Sequence, residues 1–203
     1  MTTEQLQEKI EQHKKWLGLI KNSKLRAEQL VLDEIDLRDV INGDFPIEHS
    51  YLTCCNFSKI NFENTDFYRA ELYSSIFNEC IFTECNFYKA VLNYCEMENA
   101  KFVNCKFFRT DMFETNFANS KFINCSFSSA GFIEANLQNA IFENVDFNLA
   151  YMSKVKINGS IFINHQNINS TSHLSLDISD SENETKIIDG SEAIDWIVKH
   201  SKN

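Results

Sequence analysis

The sequence predicts an all-β solenoid, a parallel β-helix whose chain turns a corner every five residues, with a short α-helix at each end. Three observations carry the prediction. From Ile47 to Phe162 every fifth residue, 24 positions in all, is large and apolar. Two residues before these runs a second series of mostly small side chains, among them Ala70, Ser75, Ala90, Cys105, Ala130 and Ser160. The central residues also recur at 20: Phe62, Phe82, Phe102, Phe122, Phe142 and Phe162 are identical, as are Phe67, Phe87, Phe107, Phe127 and Phe147. Neither the 3.6-residue period of a helix nor the 2-residue period of a strand produces a strict five. A square coil does, when each side sends one large and one small residue inward and leaves three positions for water or the corner.

The elements follow in order. Leu6, Ile10, His13, Leu17 and Ile20 share one face of a helix over residues 4–21, with Thr2 and Gln5 placed as a capping box. Residues 1–30 are therefore read as an N-terminal cap. The repeat occupies 31–164, with Leu32 and Leu37 extending the register backwards and Asn42 interrupting it. Two sides of the coil carry Phe ladders, and a third carries Leu52, Leu72, Leu92, Met112, Phe132 and Met152. Six to seven coils stacked at about 4.8 Å make a rod about 30 Å long. Asn64, Glu84, Asn104, Asn124, Asn144 and Asn164 form one vertical column, expected to be a turn-stabilising amide ladder. The register stops after 164, because the next small and central positions are His165 and Asn167. Residues 165–188 read as a polar linker. A second helix occupies 189–203, capped by Asp189 or Ser191, with Ala193, Ile194, Trp196 and Ile197 as its apolar stripe. That stripe either closes the chain's own last coil or makes an association helix, with Ile194, Trp196 and Ile197 as its contact residues. The chain is accordingly a monomer or a homodimer.

The segments TDFYR (65–69), AELYS (70–74) and ANLQN (135–139) resemble the pentapeptide repeat family, whose loose consensus is A(D/N)LxX. The resemblance covers residues 31–164. It implies a right-handed quadrilateral β-helix with four pentapeptides to a coil. Phe for Leu and Cys for Ala are common variations in that family, and the QHKKWL stretch (Gln12 to Leu17) is similar to the leader helix of bacterial arrays. Some members dimerise through a C-terminal helix. Others bind DNA gyrase or topoisomerase IV as DNA mimics and protect it from quinolones.

Composition narrows the chemistry. No segment approaches the roughly 20 apolar residues that cross a bilayer, and the N-terminus has no apolar signal core. A cytoplasmic protein without membrane contact is expected. Six of the seven cysteines fall in the small inward phase, and only Cys54 does not. They follow the repeat and not the C-x₂₋₄-C spacing of a zinc site, so they read as packing thiols in a reducing compartment. Cys85, Cys105 and Cys125 stack at a separation compatible with a disulfide, yet reduced thiols are expected. None of the five His lies between residues 50 and 164, which removes the commonest general base from the rod. No phosphate loop, nucleophile elbow or ligand cluster appears. No catalytic residue, cofactor or metal is therefore assigned.

Charge weighs on the choice of partner. The net charge is −10: residues 1–30 contribute +2, 31–164 contribute −8 and 165–203 contribute −4. Direct nucleic-acid binding is disfavoured. One outward feature stands out. Tyr68, Tyr88 and Phe108 are 20 apart, each followed by a cation, Arg69, Lys89 and Arg109, with Tyr73, Tyr94 and Phe113 around the adjoining corner. Exposed aromatic and Arg clusters are typical of protein contacts, although the same rings also serve simply to cover the coil and hold their own cations. The function read from the sequence is a non-enzymatic interaction scaffold with an unknown protein partner. DNA mimicry is the alternative. A 30 Å length of duplex carries about 18 charges, against −8 for the array and −3 for residues 51–164. Only the acidic start of the array, Asp33, Glu34, Asp36, Asp39, Asp44 and Glu48, suits that role.

Overall fold

The structure, a computed structural model, describes residues 1–20, 28–39, 45–180 and 185–202. Asn42 and Asp44, and the side chain of Ile20, lie outside the described residues. The fold is a right-handed quadrilateral parallel β-helix of about 7 turns with a short helix at either end. In chain order the elements are α1 (Thr3–Ile20), β1 (Val31–Asp33), β2 (Tyr51–Thr53), β3 (Asn61–Glu63), β4 (Ile81–Thr83), β5 (Lys101–Val103), β6 (Lys121–Ile123), β7 (Gly131–Ile133), β8 (Ile141–Glu143), β9 (Tyr151–Lys156), β10 (Ile161–Ile163), β11 (His173–Asp177), β12 (Ile187–Asp189), α2 (Gly190–Lys199) and β13 (Ser201–Lys202). The largest sheet runs β13-β10-β8-β6-β5-β4-β3 along the Phe62 side, and its pairs through the repeats are parallel and offset by 20 residues, as in Phe62↔Phe82 and Phe102↔Phe122. The other sides pair by parallel bridges of the same offset.

The corners explain the five. From Cys54 to Leu149 every residue two places after a central one has a positive φ, between 50° and 67°. This left-handed conformation bends the chain by a quarter turn. The corner N–H then bonds the next coil, as Arg69 does to the Tyr88 carbonyl at 3.1 Å. Asn tolerates this geometry best among residues with a side chain, which accounts for Asn64, Asn104, Asn124, Asn144 and Asn164 at such corners. Leu149 fits it worst: it has φ 55° and is 54% exposed, so it combines backbone strain with an apolar side chain in water. Leu149→Asn is expected to raise stability by about 1 kcal/mol, read as a higher urea midpoint. Leu149→Ala, which like Asn keeps a Cβ but lacks the side-chain amide that hydrogen-bonds the local backbone at a left-handed corner, should recover little of that gain, and an equal gain from both would refute the strain argument.

Inside, rings stack coil on coil. The Phe62 to Phe162 ladder has centroid separations of 5.1, 4.7, 4.8, 5.1 and 5.0 Å with planes within 10° of parallel. The neighbouring ladder meets it edge-on, for example Phe102 with Phe107 at 5.5 Å and 68°. These are the offset-stacked and edge-to-face geometries that the ring quadrupole favours. The small inward residues have a second task where they carry a hydroxyl or thiol. Ser75, Thr110, Thr115, Ser120 and Ser160 each donate to the carbonyl of a central residue 23 positions earlier, at 2.6–2.8 Å. Cys80 and Cys95 do the same at 3.0 and 2.8 Å. These Ser, Thr and Cys side chains thus alternate with Ala while keeping their own donors paired.

The two ends differ in how they close. Thr2 and Gln5 cap α1 reciprocally, at 2.8 and 3.2 Å, and Leu6 and His13 of its inner face are buried. At the other end, the expected polar linker over 165–188 is corrected by the structure. Gln166 still bridges Asp146, Ile168 is buried, and β11 pairs with β9 while β12 returns antiparallel to β11. Leu174, Leu176 and Ile188 are buried there. The apolar step has changed from five to the two of an ordinary strand, so a register read in fives ends where the fold does not. The second helix spans Gly190–Lys199, not 189–203, and Ser201 continues as β13 against Phe162. Asp189 holds the N-cap position in an extended conformation without a side-chain capping bond, and Ser191 lies inside the helix.

Candidate interaction surface

The second Phe ladder places the next residue of each repeat outward, beside the corner. Tyr68, Tyr88 and Phe108 therefore form a vertical stack, with centroids 5.2 and 5.3 Å apart and planes tilted by 30° and 39°. The following corner residues Arg69, Lys89 and Arg109, at φ 55°, 58° and 55°, fold back over these rings at 5.4, 5.0 and 5.2 Å. Among the described residues, no carboxylate lies within ion-pair distance of any of the three. Phe108 is 38% exposed and Tyr68 and Tyr88 are half-buried. The stripe stops one coil later, where Ser128 and Ser129 occupy the two positions.

The structure extends this stripe beyond the sequence reading. His49, at the same corner one coil below Arg69, meets Tyr68 edge-on at 4.9 Å, and Trp16 of α1 meets His49 at 5.9 Å. The 20-residue step marks His49 as a corner residue. Nothing in the repeat marks Trp16, whose position depends on how α1 docks. Around the corner Tyr73 and Tyr94 are exposed, and Tyr94 meets Phe113 edge-on at 5.3 Å.

The remaining candidates resolve as follows. The amide ladder is bonded from Asn124 to Asn104 at 3.2 Å and from Asn144 to Asn124 at 3.0 Å. A second one, from Asn136 to Asn116 and on to Glu96, was not singled out from the sequence, because Ile76 and Lys156 break its column. The six in-phase cysteines are buried free thiols, and burial pushes Cys55 up to about 11 and Cys80 up to about 12, away from the reactive thiolate. In the proposed association helix, Ile197 is fully buried together with Ala193 in the chain's own cap, which withdraws it from any contact between copies. Ile194 and Trp196 pack partly against the same core, with Trp196 stacked on His200 at 3.9 Å.

Stacked five-residue sides, left-handed corners and inward ladders define a parallel β-solenoid repeat protein that displays its outer residues in columns. The chain belongs to the pentapeptide repeat family. The family model, described as pentapeptide repeats, matches over residues 48–84, 77–107, 110–148 and 130–164. Among solved structures, trypsin-treated QnrB1, a plasmid-mediated fluoroquinolone resistance protein, is 16% identical with a TM-score of 0.46, covering 70% of this chain and 76% of that one. HetL from the cyanobacterium Nostoc, involved in heterocyst differentiation regulation, is 15% identical with a TM-score of 0.47, covering 81% and 76%. A thylakoid-lumen pentapeptide repeat protein from Arabidopsis thaliana is 19% identical with a TM-score of 0.24, covering 63% and 70%. No curated protein matches the chain by sequence. No helix among the described residues is long and apolar enough to cross a membrane.

Proposed function

We propose that the protein is a non-enzymatic interaction scaffold that binds a protein partner through the stripe Tyr68, Tyr88, Phe108 and its cations Arg69, Lys89 and Arg109. One observation carries this reading: among the described residues no carboxylate pairs with any of the three cations, in a chain of net charge −10, and each is laid over an outward-facing ring. A rigid ladder of aromatics orders few rotatable bonds on binding, and Arg and Tyr are the residues most often found at the energetic centre of an interface. The test is affinity capture from host lysate with wild type, with Tyr68→Ser/Tyr88→Ser/Phe108→Ser, and with a control carrying Ile123→Ser on another side. Two hot-spot side chains at about 1.5 kcal/mol each predict loss of the captured partner by about 100-fold in the stripe variant alone. A captured set that is the same in all three folded proteins would refute the assignment.

A second reading, gyrase or topoisomerase IV binding by DNA mimicry, is favoured by the acidic first coil, where Asp33, Glu34 and Asp39 are exposed. Asp36 is less available, since Arg38 pairs with it at 2.5 Å. A supercoiling assay with ciprofloxacin separates the two readings, because protection that survives the stripe substitutions and vanishes in Asp33→Asn/Glu34→Gln/Asp39→Asn belongs to mimicry.

A further inference from the structure

Resting on the contact surface proposed above, we infer that the element docking on it is an α-helix with carboxylates at i, i+4 and i+7, laid along the rod axis. The cations set the ruler. Arg69, Lys89 and Arg109 are one coil apart, and stacked parallel strands repeat at about 4.8 Å, so the column spans about 9.6 Å. A helix rising 1.5 Å per residue places carboxylates at i, i+4 and i+7 over about 10.5 Å, a mismatch of about 1 Å. An extended strand places every second side chain on one face, so three carboxylates span about 13.6 Å and miss by about 4 Å. The cations cannot stretch to absorb the larger gap while their heads stay over their own rings at 5.0–5.4 Å. A strand would therefore satisfy two of the three, whereas a helix satisfies all three. The aromatic column beside them then takes the apolar residues one step round the docking helix, which makes that helix amphipathic with one acidic edge. The net charge of −10 opposes an acidic partner at a distance, but a Debye length of about 8 Å confines that repulsion. The local column decides the contact.

The experiment is amide NMR titration of the full isotope-labelled chain with two synthetic peptides that carry the same number of Glu and Leu residues and the same net charge. One is lactam-locked as a helix with Glu at i, i+4 and i+7 and Leu along the adjacent edge. The other is held extended by interspersed proline. The helical peptide is expected to shift the amides of Arg69, Ala70, Lys89, Ala90, Arg109 and Thr110 saturably. The extended one should bind at least about tenfold more weakly, the loss of one of three charge contacts. Arg69→Glu/Lys89→Glu/Arg109→Glu should abolish both sets of shifts, with the core signals unchanged. Equal or tighter binding of the extended peptide at this column overturns the helix and leaves the contact surface standing. No saturable shift at the column overturns the inference outright, and lysate capture then shows separately whether the surface itself fails. A thymidine oligonucleotide of about fifteen nucleotides that shifts the same amides more strongly would assign the column to phosphate and overturn a protein helix. The exposed side of α1 itself offers Glu4, Glu8 and Glu11 at this spacing. A mass that rises with protein concentration in sedimentation, and no longer does so in Glu8→Lys, would assign the helix to a second copy and overturn a separate partner.

Discussion

Phe102→Ala is expected to destabilise the rod by about 3–5 kcal/mol, at the upper end for a large core deletion. Phe102 is fully buried, with Phe82 and Phe122 stacked on its two faces at 4.7 and 4.8 Å and the edges of Phe107 and Phe117 at 5.5 and 5.9 Å. Each neighbour is fixed by coil-to-coil backbone bonds, such as Lys101 to the Cys80 carbonyl at 2.9 Å and Lys121 to the Ala100 carbonyl at 2.9 Å. The void therefore has little room to close, and the cavity contribution adds fully to the lost transfer energy. Position matters as well. Phe162 stacks on Phe142 alone, and its other side faces the last turns of the chain. In a one-dimensional stack a central defect breaks two coil interfaces and a terminal defect one, so Phe162→Ala should cost less than Phe102→Ala by at least about 1 kcal/mol. Urea unfolding at equal protein concentration reads both. A central loss below about 1.5 kcal/mol, or equal losses at the two sites, would show that the rings do not hold the coils together as argued.

How much of this was legible in the sequence depended on which period carried it. The five-residue register from Ile47 to Phe162 fixes which side chains point inward, and the 20-residue identity of Phe62, Phe82 and Phe102 fixes which of them touch. The stripe was legible for the same reason, because Tyr68, Tyr88 and Phe108 inherit their alignment from the ladder beneath them. The ends were not. Leu174 and Leu176 lie two residues apart on a five-residue strand, out of the step of five, and the strand at Ser201 pairs with Phe162 across almost forty residues of chain. Trp16 joins the stripe only because α1 docks at an angle set by His13, which no periodicity records. Repeats announce themselves through local spacing, while caps are defined by contacts distant in sequence.

The docking of α1 makes stability depend on pH in a direction that can be worked out. His13 is fully buried; Leu30 donates its N–H to Nδ1 at 2.9 Å and Nε2 bonds the Glu48 carbonyl at 2.9 Å. The first bond requires an unprotonated Nδ1, so the ring is neutral with its proton on Nε2. Burial holds its pKa below the ordinary value of 6.5, the Glu48 carbonyl pulls the other way, and the neighbouring His49 adds to the lowering. A base whose folded pKa is depressed gives its full stabilisation above the unfolded value. That stabilisation is lost as pH falls from about 6.5 towards and through the folded pKa, because the unfolded chain takes up the proton first. His165, also lowered by burial, adds in the same direction. His13→Phe separates the two. At about pH 7.5 it should cost about 2–4 kcal/mol, since the Leu30 N–H and the Glu48 carbonyl lose their partner in a dry site. It should also reduce the stability difference between about pH 7.5 and pH 5.5, since the His13 contribution is lost while that of His165 remains. Urea unfolding of wild type and variant at the two pH values measures both effects. If His13→Phe keeps the whole wild-type pH dependence, the acid sensitivity of the fold lies elsewhere than in the seating of its first helix.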